Sequence, residues 1–321
     1  MKRKPDIFYS KILLFGEYSI LCDSMGLTIP YTHFKAELSF VKENKYTDLD
    51  YARNSNHLLA SYIPYLRNLA DRNELHCALD VEAFAADVSR GLYLESNIPQ
   101  GYGVGSSGAL VAALYKKYVA NAFPDDGMLN AEEINELRLQ FSQLESFFHG
   151  TSSGIDPLNC YLSQPLLIRS REDTSVVGIP GDEDNRQGGI FLLNTGAPGK
   201  TEPLVNLFME KCQDEGFKQL IKNNMIPLTN NCIMNLISGE TQAFFENLRH
   251  LSEFLLENFK PMVPSQFEEI WKHGLESNDF YLKLCGSGGG GFLLGFTKNY
   301  EKAKQILKAA NIDVIPVYLN S

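Results

Sequence analysis

Hydrophobic positions along this chain change their period several times, and each change marks an element. Residues 11–21 read as a strand, a break at Gly16 and a second strand. Alternation of the β type continues over 26–42, so antiparallel strands are expected to open the fold. The period becomes helical over 54–71, where Leu58, Leu59, Tyr62, Leu66 and Leu69 share one side and Pro64 predicts a kink. A short amphipathic helix is predicted over 81–89 and a strand over 92–96. Leu110, Val111, Leu114 and Tyr118 then form the apolar face of a helix that follows a glycine-rich stretch. Residues 124–127 read as a turn, and Asn130 as an N-cap with Glu133 at the third position. The helix it starts carries Ile134, Leu137, Phe141, Leu144 and Phe148 and ends near His149-Gly150. Strands are predicted over 166–169, 175–179 and 189–193. The polar connection 181–188 between the last two predicts a boundary that divides an N-terminal lobe, 1–184, from a C-terminal lobe, 185–321. The second lobe reads as helix-rich to about 277, then strand 281–284, a glycine run over 286–291, strand 292–296, helix 301–309 and strand 313–317. Strands and helices mixed without regular βαβ alternation predict an α+β fold.

Composition adds exclusions. The chain has 321 residues, enough for two core-bearing lobes or one large domain, with 44% hydrophobic and 21% charged positions. With 29 basic and 39 acidic residues the formal net charge is −10, which argues against a general nucleic-acid or anionic-membrane surface. Six scattered cysteines, with no CxxC and no metal spacing, predict reduced thiols and a cytoplasmic protein. Lys2-Arg3-Lys4 precedes an apolar run that Lys11 and Glu17 interrupt, which is not the pattern of a signal peptide. No apolar run has the length of a membrane span.

The chemistry begins at Pro99-Gln100-Gly101-Tyr102-Gly103-Val104-Gly105-Ser106-Ser107-Gly108-Ala109. Glycines let a backbone approach a ligand closely, and the first turn of a helix presents unpaired N–H groups with positive partial charge. Loop and helix start together predict a phosphate socket, to which the serine hydroxyls add oxygen ligands for a metal. Gly103 to Gly108 also fits G-x-G-x-x-G, yet Asn97 to Gln100 separates the strand from the glycines. The acids about twenty residues on, Asp125 and Asp126, sit in a turn, so a dinucleotide-binding oxidoreductase ranks behind a phosphate loop. No Gly-Lys-Ser/Thr follows, which excludes a Walker loop.

Four stretches taken together resemble the GHMP kinase family: residues 11–17, the loop at Pro99, residues 145–156 and the glycine run 286–291. Within it the likeness is greatest to the mevalonate kinases. Lys11 to Tyr18 resembles their Lys-x-x-Leu-x-Gly-Glu-His, residues 145–156 their Glu-…-His-Gly-x-Pro-Ser-Gly-x-Asp, and residues 194–201 their Asn-Thr-x-x-Pro-x-x-Thr. The resemblance implies a two-lobed fold with the active site in the cleft, and an ATP-dependent kinase that uses Mg2+ on a small-molecule hydroxyl, best mevalonate giving 5-phosphomevalonate. A small-molecule substrate is thus implied, with neither nucleic acid nor membrane as partner, and a homodimer is compatible. The alternatives carried are a sugar kinase of the same family, a decarboxylase of diphosphomevalonate, and a non-catalytic ATP-binding metabolite sensor. The decarboxylase lacks the Lys/Glu pairing of the first motif, and a sensor would be expected to have lost the catalytic groups.

The resemblance assigns Asp156 as catalytic aspartate with Lys11 beside it, and Ser107 and Glu145 as the metal-holding pair. Pro99, Gly101, Gly103, Gly105, Ser106, Ser107, Gly108 and Ala109 contact the nucleotide, and Glu17, Tyr18 and Thr201 the substrate. Without it, Asp156 reads equally as a turn residue in Gly-Ile-Asp-Pro, Glu145 as a solvated helix-face charge, Ser107 as an N-cap and Glu17 as a turn acid. Lys11 stands apart, because an unpaired ammonium in an apolar strand is costly and calls for an anionic partner such as Asp156. His149 reads as structural. The glycine run 286–291 reads as a site of close loop approach rather than a hairpin turn. The chain departs from the family pattern at Tyr18 for histidine, Gly108 for alanine, Ser152 for proline and Ser287 for alanine. Tyr18 bears on the substrate, because a phenol offers no charge to a carboxylate.

Overall fold

The structure, a computed structural model, describes residues 6–41, 48–125, 128–180 and 187–319. The predicted lobe boundary at 184/185, Lys2 to Lys4 and part of the 124–127 turn lie outside the described residues.

The first sheet is built on β1 (Phe8–Phe15) and the long β2 (Gly26–Phe40), paired antiparallel with Lys11 opposite Pro30. The chain then forms α1 (Leu49–Asp71), α2 (Val81–Ser89) and β3 (Leu92–Ser96), which pairs with the far end of β2. Helices α3 (Ser106–Tyr118), α4 (Ala131–His149) and α5 (Ile155–Leu162) follow. Then come β4 (Leu166–Ile168), which pairs with the start of β2, and β5 (Thr174–Val176) on its outer side. Helix α3 runs through the middle of this half, buried at every position from Gly108 to Tyr115.

The second sheet has the order β7-β8-β6-β9, all antiparallel: β6 (Gly189–Asn194), β7 (Tyr281–Leu284), β8 (Phe292–Thr297) and β9 (Val314–Leu319). Between β6 and β7 lie α6 (Thr201–Lys211), α7 (Glu215–Leu220), α8 (Ile226–Ser238), α9 (Thr241–Asn258) and α10 (Glu268–Ser277), and α11 (Tyr300–Ala309) precedes β9. The fold is α+β with two sheets, as the patterning predicts. One apolar core joins the halves, with Phe15 stacked on Phe296 at 5.5 Å between ring centres and Phe34 on Phe292 at 6.2 Å.

Three expectations need correction. No second strand follows Gly16; residues Ser19–Cys22 form a 3-10 turn between Tyr18 and Asp23, whose φ values are +62° and +66°. Gly16 turns at φ +116°, where a Cβ would stand 2.9 Å from the Gly26 Cα. Buried Ser19 is tied to Ser24 and Thr229 by hydroxyl bonds in place of a strand ladder. Helix α1 starts earlier than the period indicates, because the Asp48 carboxylate accepts the N–H groups of Asp50 and Tyr51; Pro64 lies inside it. Gly-Ile-Asp-Pro is no turn but the start of α5: Gly154 is left-handed at the N-cap, and Pro157 sits in the first turn, where no N–H is needed. The capping box predicted at Asn130 and Glu133 is present.

Candidate active site

Three loops stack where the two sheets meet. In the loop entering α3, Gly101, Gly103 and Gly105 all have positive φ, and no side chain caps the first turn that Ser106 and Ser107 begin. Ala109 closes the first helical bond to the Gly105 carbonyl at 3.0 Å. The segment after β6 lies against this loop: Gly199 N–H donates to the Gly101 carbonyl at 2.9 Å, and a Cβ on Gly101 would meet Pro198 Cβ at 2.9 Å. The glycine run after β7 closes the stack. A Cβ on Gly291 would lie 2.9 Å from Tyr102 Cα, and one on Gly290 2.7 Å from the Pro198 carbonyl. Close backbone contact between loops, rather than a free hairpin, accounts for the run. Pro99 is half-buried at the entrance to the first loop.

Beneath that loop Lys11 and Asp156 form an ion pair, Nζ to Oδ2 2.9 Å, with the lysine 7% and the aspartate 38% exposed. The pair is a product of packing. Lys11 N–H donates to the Val104 carbonyl, which ties β1 to the loop, and a Cβ on Gly105 would strike Lys11 Cγ at 2.9 Å. Gly108 lets α3 touch the start of α5: a Cβ there would stand 2.8 Å from the Asp156 carbonyl carbon. Burial disfavours the Lys11 charge, yet the Asp156 carboxylate outweighs it, and the pKa of Lys11 ends above its usual value.

One face of α4 completes the cluster. Arg138, Ser142, Glu145 and His149 follow one another at steps of four, three and four, which aligns them on one side of a helix. Arg138 donates to the Ser153 carbonyl at 2.9 Å and Ser142 to the Ser152 carbonyl, so the loop to α5 folds back along that face. Glu145 is buried, with Ser107 Oγ donating to Oε1 at 2.9 Å and Ser152 Oγ to Oε2. His149 Nε2 lies 3.0 Å from Ser107 Oγ. Burial first, and the Asp156 charge second, push the Glu145 carboxyl up to about 7. Between about pH 4.5 and about 7 this carboxyl therefore binds a proton more strongly in the folded protein than in the unfolded chain. Its contribution to stability should fall as pH rises from about 4.5 to about 7. Denaturation of wild type and Glu145→Gln between pH 5 and 8 checks this, since the gap in favour of the uncharged variant should widen with pH.

Among the residues assigned to substrate, Glu17 is held by Lys283 of β7, Oε1 to Nζ 2.6 Å, at 6% and 2% exposure. Burial raises the Glu17 pKa against the opposing effect of Lys283. Tyr18 packs on Phe208 and Phe259 and donates its hydroxyl to the Ser287 carbonyl at 2.6 Å. Thr201 opens α6 and accepts from Ser287 Oγ at 3.2 Å. Ser287, first noted as a departure from the family pattern, thus joins Tyr18 to Thr201. Lys283 escaped the sequence reading, although the reasoning applied to Lys11 fits it equally: an ammonium between Leu282 and Leu284 in a buried strand needs an anion.

Residues 68–164, which span the loop, α3, α4 and Asp156, match the sequence profile of the GHMP kinases N terminal domain. The match covers less than half of the chain and marks a likeness to that family over this stretch. No curated protein matches it by sequence. Among solved structures it is similar in fold to L. major mevalonate kinase in complex with R-mevalonate, at TM-score 0.62 and 18% identity over 100% of this chain and 97% of that one. Streptococcus pneumoniae phosphomevalonate kinase in complex with phosphomevalonate and AMPPNP aligns at TM-score 0.61 and 14% identity, covering 98% of each chain. Lactococcus lactis galactokinase complexed with galactose aligns at 0.61 and 13%, over 99% and 94%. At these identities the likeness is one of fold.

The geometry suits a phosphate-bearing ligand together with a divalent cation. Positive-φ glycines and an uncapped helix start suit phosphate oxygens, and a hydroxyl beside a carboxylate suits a hard divalent cation. Among the described residues no group of three or more His, Cys, Asp or Glu could hold a metal ion, so such a cation would share its coordination with phosphate and water. Among the same residues no helix is long and apolar enough to cross a membrane.

Proposed function

We propose that this protein is a GHMP kinase that transfers the terminal phosphoryl group of ATP to a hydroxyl of a small molecule, with mevalonate the first acceptor to test. The observation that carries the reading is the Lys11–Asp156 pair at 2.9 Å, packed against the first turn of α3 that carries Ser107. Phosphoryl transfer asks for a positioned acceptor and neutralised charge more than for covalent chemistry. Residues 99–109 line the phosphates, with the first-turn N–H groups of Ser106, Ser107 and Gly108 as donors to them. Ser107 and Glu145 hold Mg2+, which when bound neutralises phosphate charge. Asp156, partly exposed, orients the acceptor hydroxyl and takes its proton, and Lys11 holds the carboxylate in place with its charge toward the reacting region. All four side chains remain and are paired, which weighs against a non-catalytic sensor. Ser107→Ala and Glu145→Ala are each expected to raise the Mg2+ concentration needed for half-maximal turnover; an unchanged requirement in both refutes the assignment.

A sugar hydroxyl is the second reading, and the substrate-side residues favour it. Lys283 is already neutralised by Glu17, Lys11 by Asp156, and Tyr18 is a neutral phenol with its proton committed to Ser287. A carboxylate substrate gains no free cation from these groups, whereas a polyol loses nothing. ATP-coupled turnover on mevalonate, phosphomevalonate and a hexose panel, for wild type and Tyr18→His, decides between them. Turnover on mevalonate, improved by Tyr18→His, is the result expected of a mevalonate kinase. Turnover on a hexose alone retains the kinase reading and removes mevalonate, and no turnover with any acceptor removes both.

A further inference from the structure

The Ser107–Glu145 pair has two further partners, and together they decide which oxygens face outward. Ser152 Oγ donates to Glu145 Oε2 and accepts the Gly154 N–H at 3.0 Å, so its single proton is committed to the carboxylate. Its backbone is held in turn by Ser142 through the Ser152 carbonyl, and the next residue by Arg138. Oε2 is therefore occupied by a fixed donor, and Oε1 is the oxygen turned to Ser107. On the other side, Ser107 has one proton, given to Oε1. When both of these oxygens ligate one cation, that proton needs another acceptor, and His149 Nε2 stands 3.0 Å from the hydroxyl oxygen.

We propose that Ser152 and His149 are positioning residues of the metal clamp: Ser152 restricts Glu145 to one-oxygen ligation through Oε1, and His149 accepts the Ser107 proton so that the hydroxyl turns a lone pair to the same cation. The inference rests on the kinase reading and deepens it. A consequence for selectivity follows from coordination chemistry. Mg2+ demands near-octahedral geometry and is served by single carboxylate oxygens, whereas the larger Ca2+ accepts both oxygens of one carboxylate. Blocking Oε2 therefore favours the smaller ion. A proline at position 152 could supply no such donor.

The test is calorimetric titration of Mg2+ and of Ca2+ into protein saturated with AMPPNP, beside titration of AMPPNP alone without metal. Outer partners of metal ligands typically contribute about 10–100-fold to metal affinity. Ser152→Ala and His149→Ala are each expected to weaken Mg2+ by about 10-fold and to leave metal-free AMPPNP binding unchanged. Ser152→Ala should also shift preference toward Ca2+. Ser152→Thr, which keeps the hydroxyl, and His149→Gln, which keeps an acceptor, should recover most of the affinity. Unchanged Mg2+ affinity in both alanine variants overturns the proposal, as does equal loss of metal-free nucleotide binding, the mark of a merely structural role. A wild-type protein that binds AMPPNP with neither metal nor alone overturns the kinase reading itself, and this inference with it.

Discussion

Asp156→Asn is expected to lower turnover by about 10²–10⁴-fold, the usual contribution of a general base, while ATP binding is retained. The amide keeps the shape of the carboxylate at the start of α5 but loses the charge that faces Lys11 at 2.9 Å and the basicity toward an acceptor hydroxyl. Lys11 would then be a buried ammonium with a neutral partner, so some loss of stability should accompany the loss of rate. The two effects separate under nucleotide titration at a temperature well below unfolding. A folded variant that binds ATP normally and turns over at a near-wild-type rate would show that Asp156 only anchors Lys11.

Lys283→Met is expected to destabilise the fold by about 3–5 kcal/mol at neutral pH, the cost of stranding one member of a buried ion pair. Glu17 Oε1 lies 2.6 Å from the Lys283 ammonium, both side chains are almost fully enclosed, and the pair joins the end of β1 to β7 of the other sheet. The pH dependence gives the mechanism. Burial already raises the Glu17 pKa, and without Lys283 it would rise further, so the stranded carboxyl takes a proton as pH falls. The defect of Lys283→Met should therefore shrink below neutral pH and deepen above it. Glu17→Gln combined with Lys283→Met should regain most of the loss, because a neutral pair leaves no uncompensated charge. Chemical denaturation of both variants from pH 5 to 8 checks this, and a pH-independent defect that the double variant keeps would assign the cost to packing instead.

Much of this protein is local and was legible from its sequence. Alternation and helical periods mark most of the strands and helices, because each buries one face and the spacing of apolar residues records which. The Asn130–Glu133 box and the glycine loop before α3 are likewise short-range, since capping and positive φ involve only neighbours within a turn. Lys11 announced a missing anion through the cost of a bare charge in an apolar strand. What tertiary structure decided is of longer range. The 3-10 turn after Gly16 replaced an expected strand because β2 crosses too closely for a side chain and Ser19 finds its partners at Ser24 and Thr229. Lys283 was overlooked because its partner Glu17 lies 266 positions earlier, and His149 because its contact is with Ser107 on another helix. The glycine run 286–291 and Ser287 acquired meaning only against Tyr102, Pro198, Tyr18 and Thr201. A sequence states which residues need a partner; which partner each one finds depends on how the two sheets close over the loops between them.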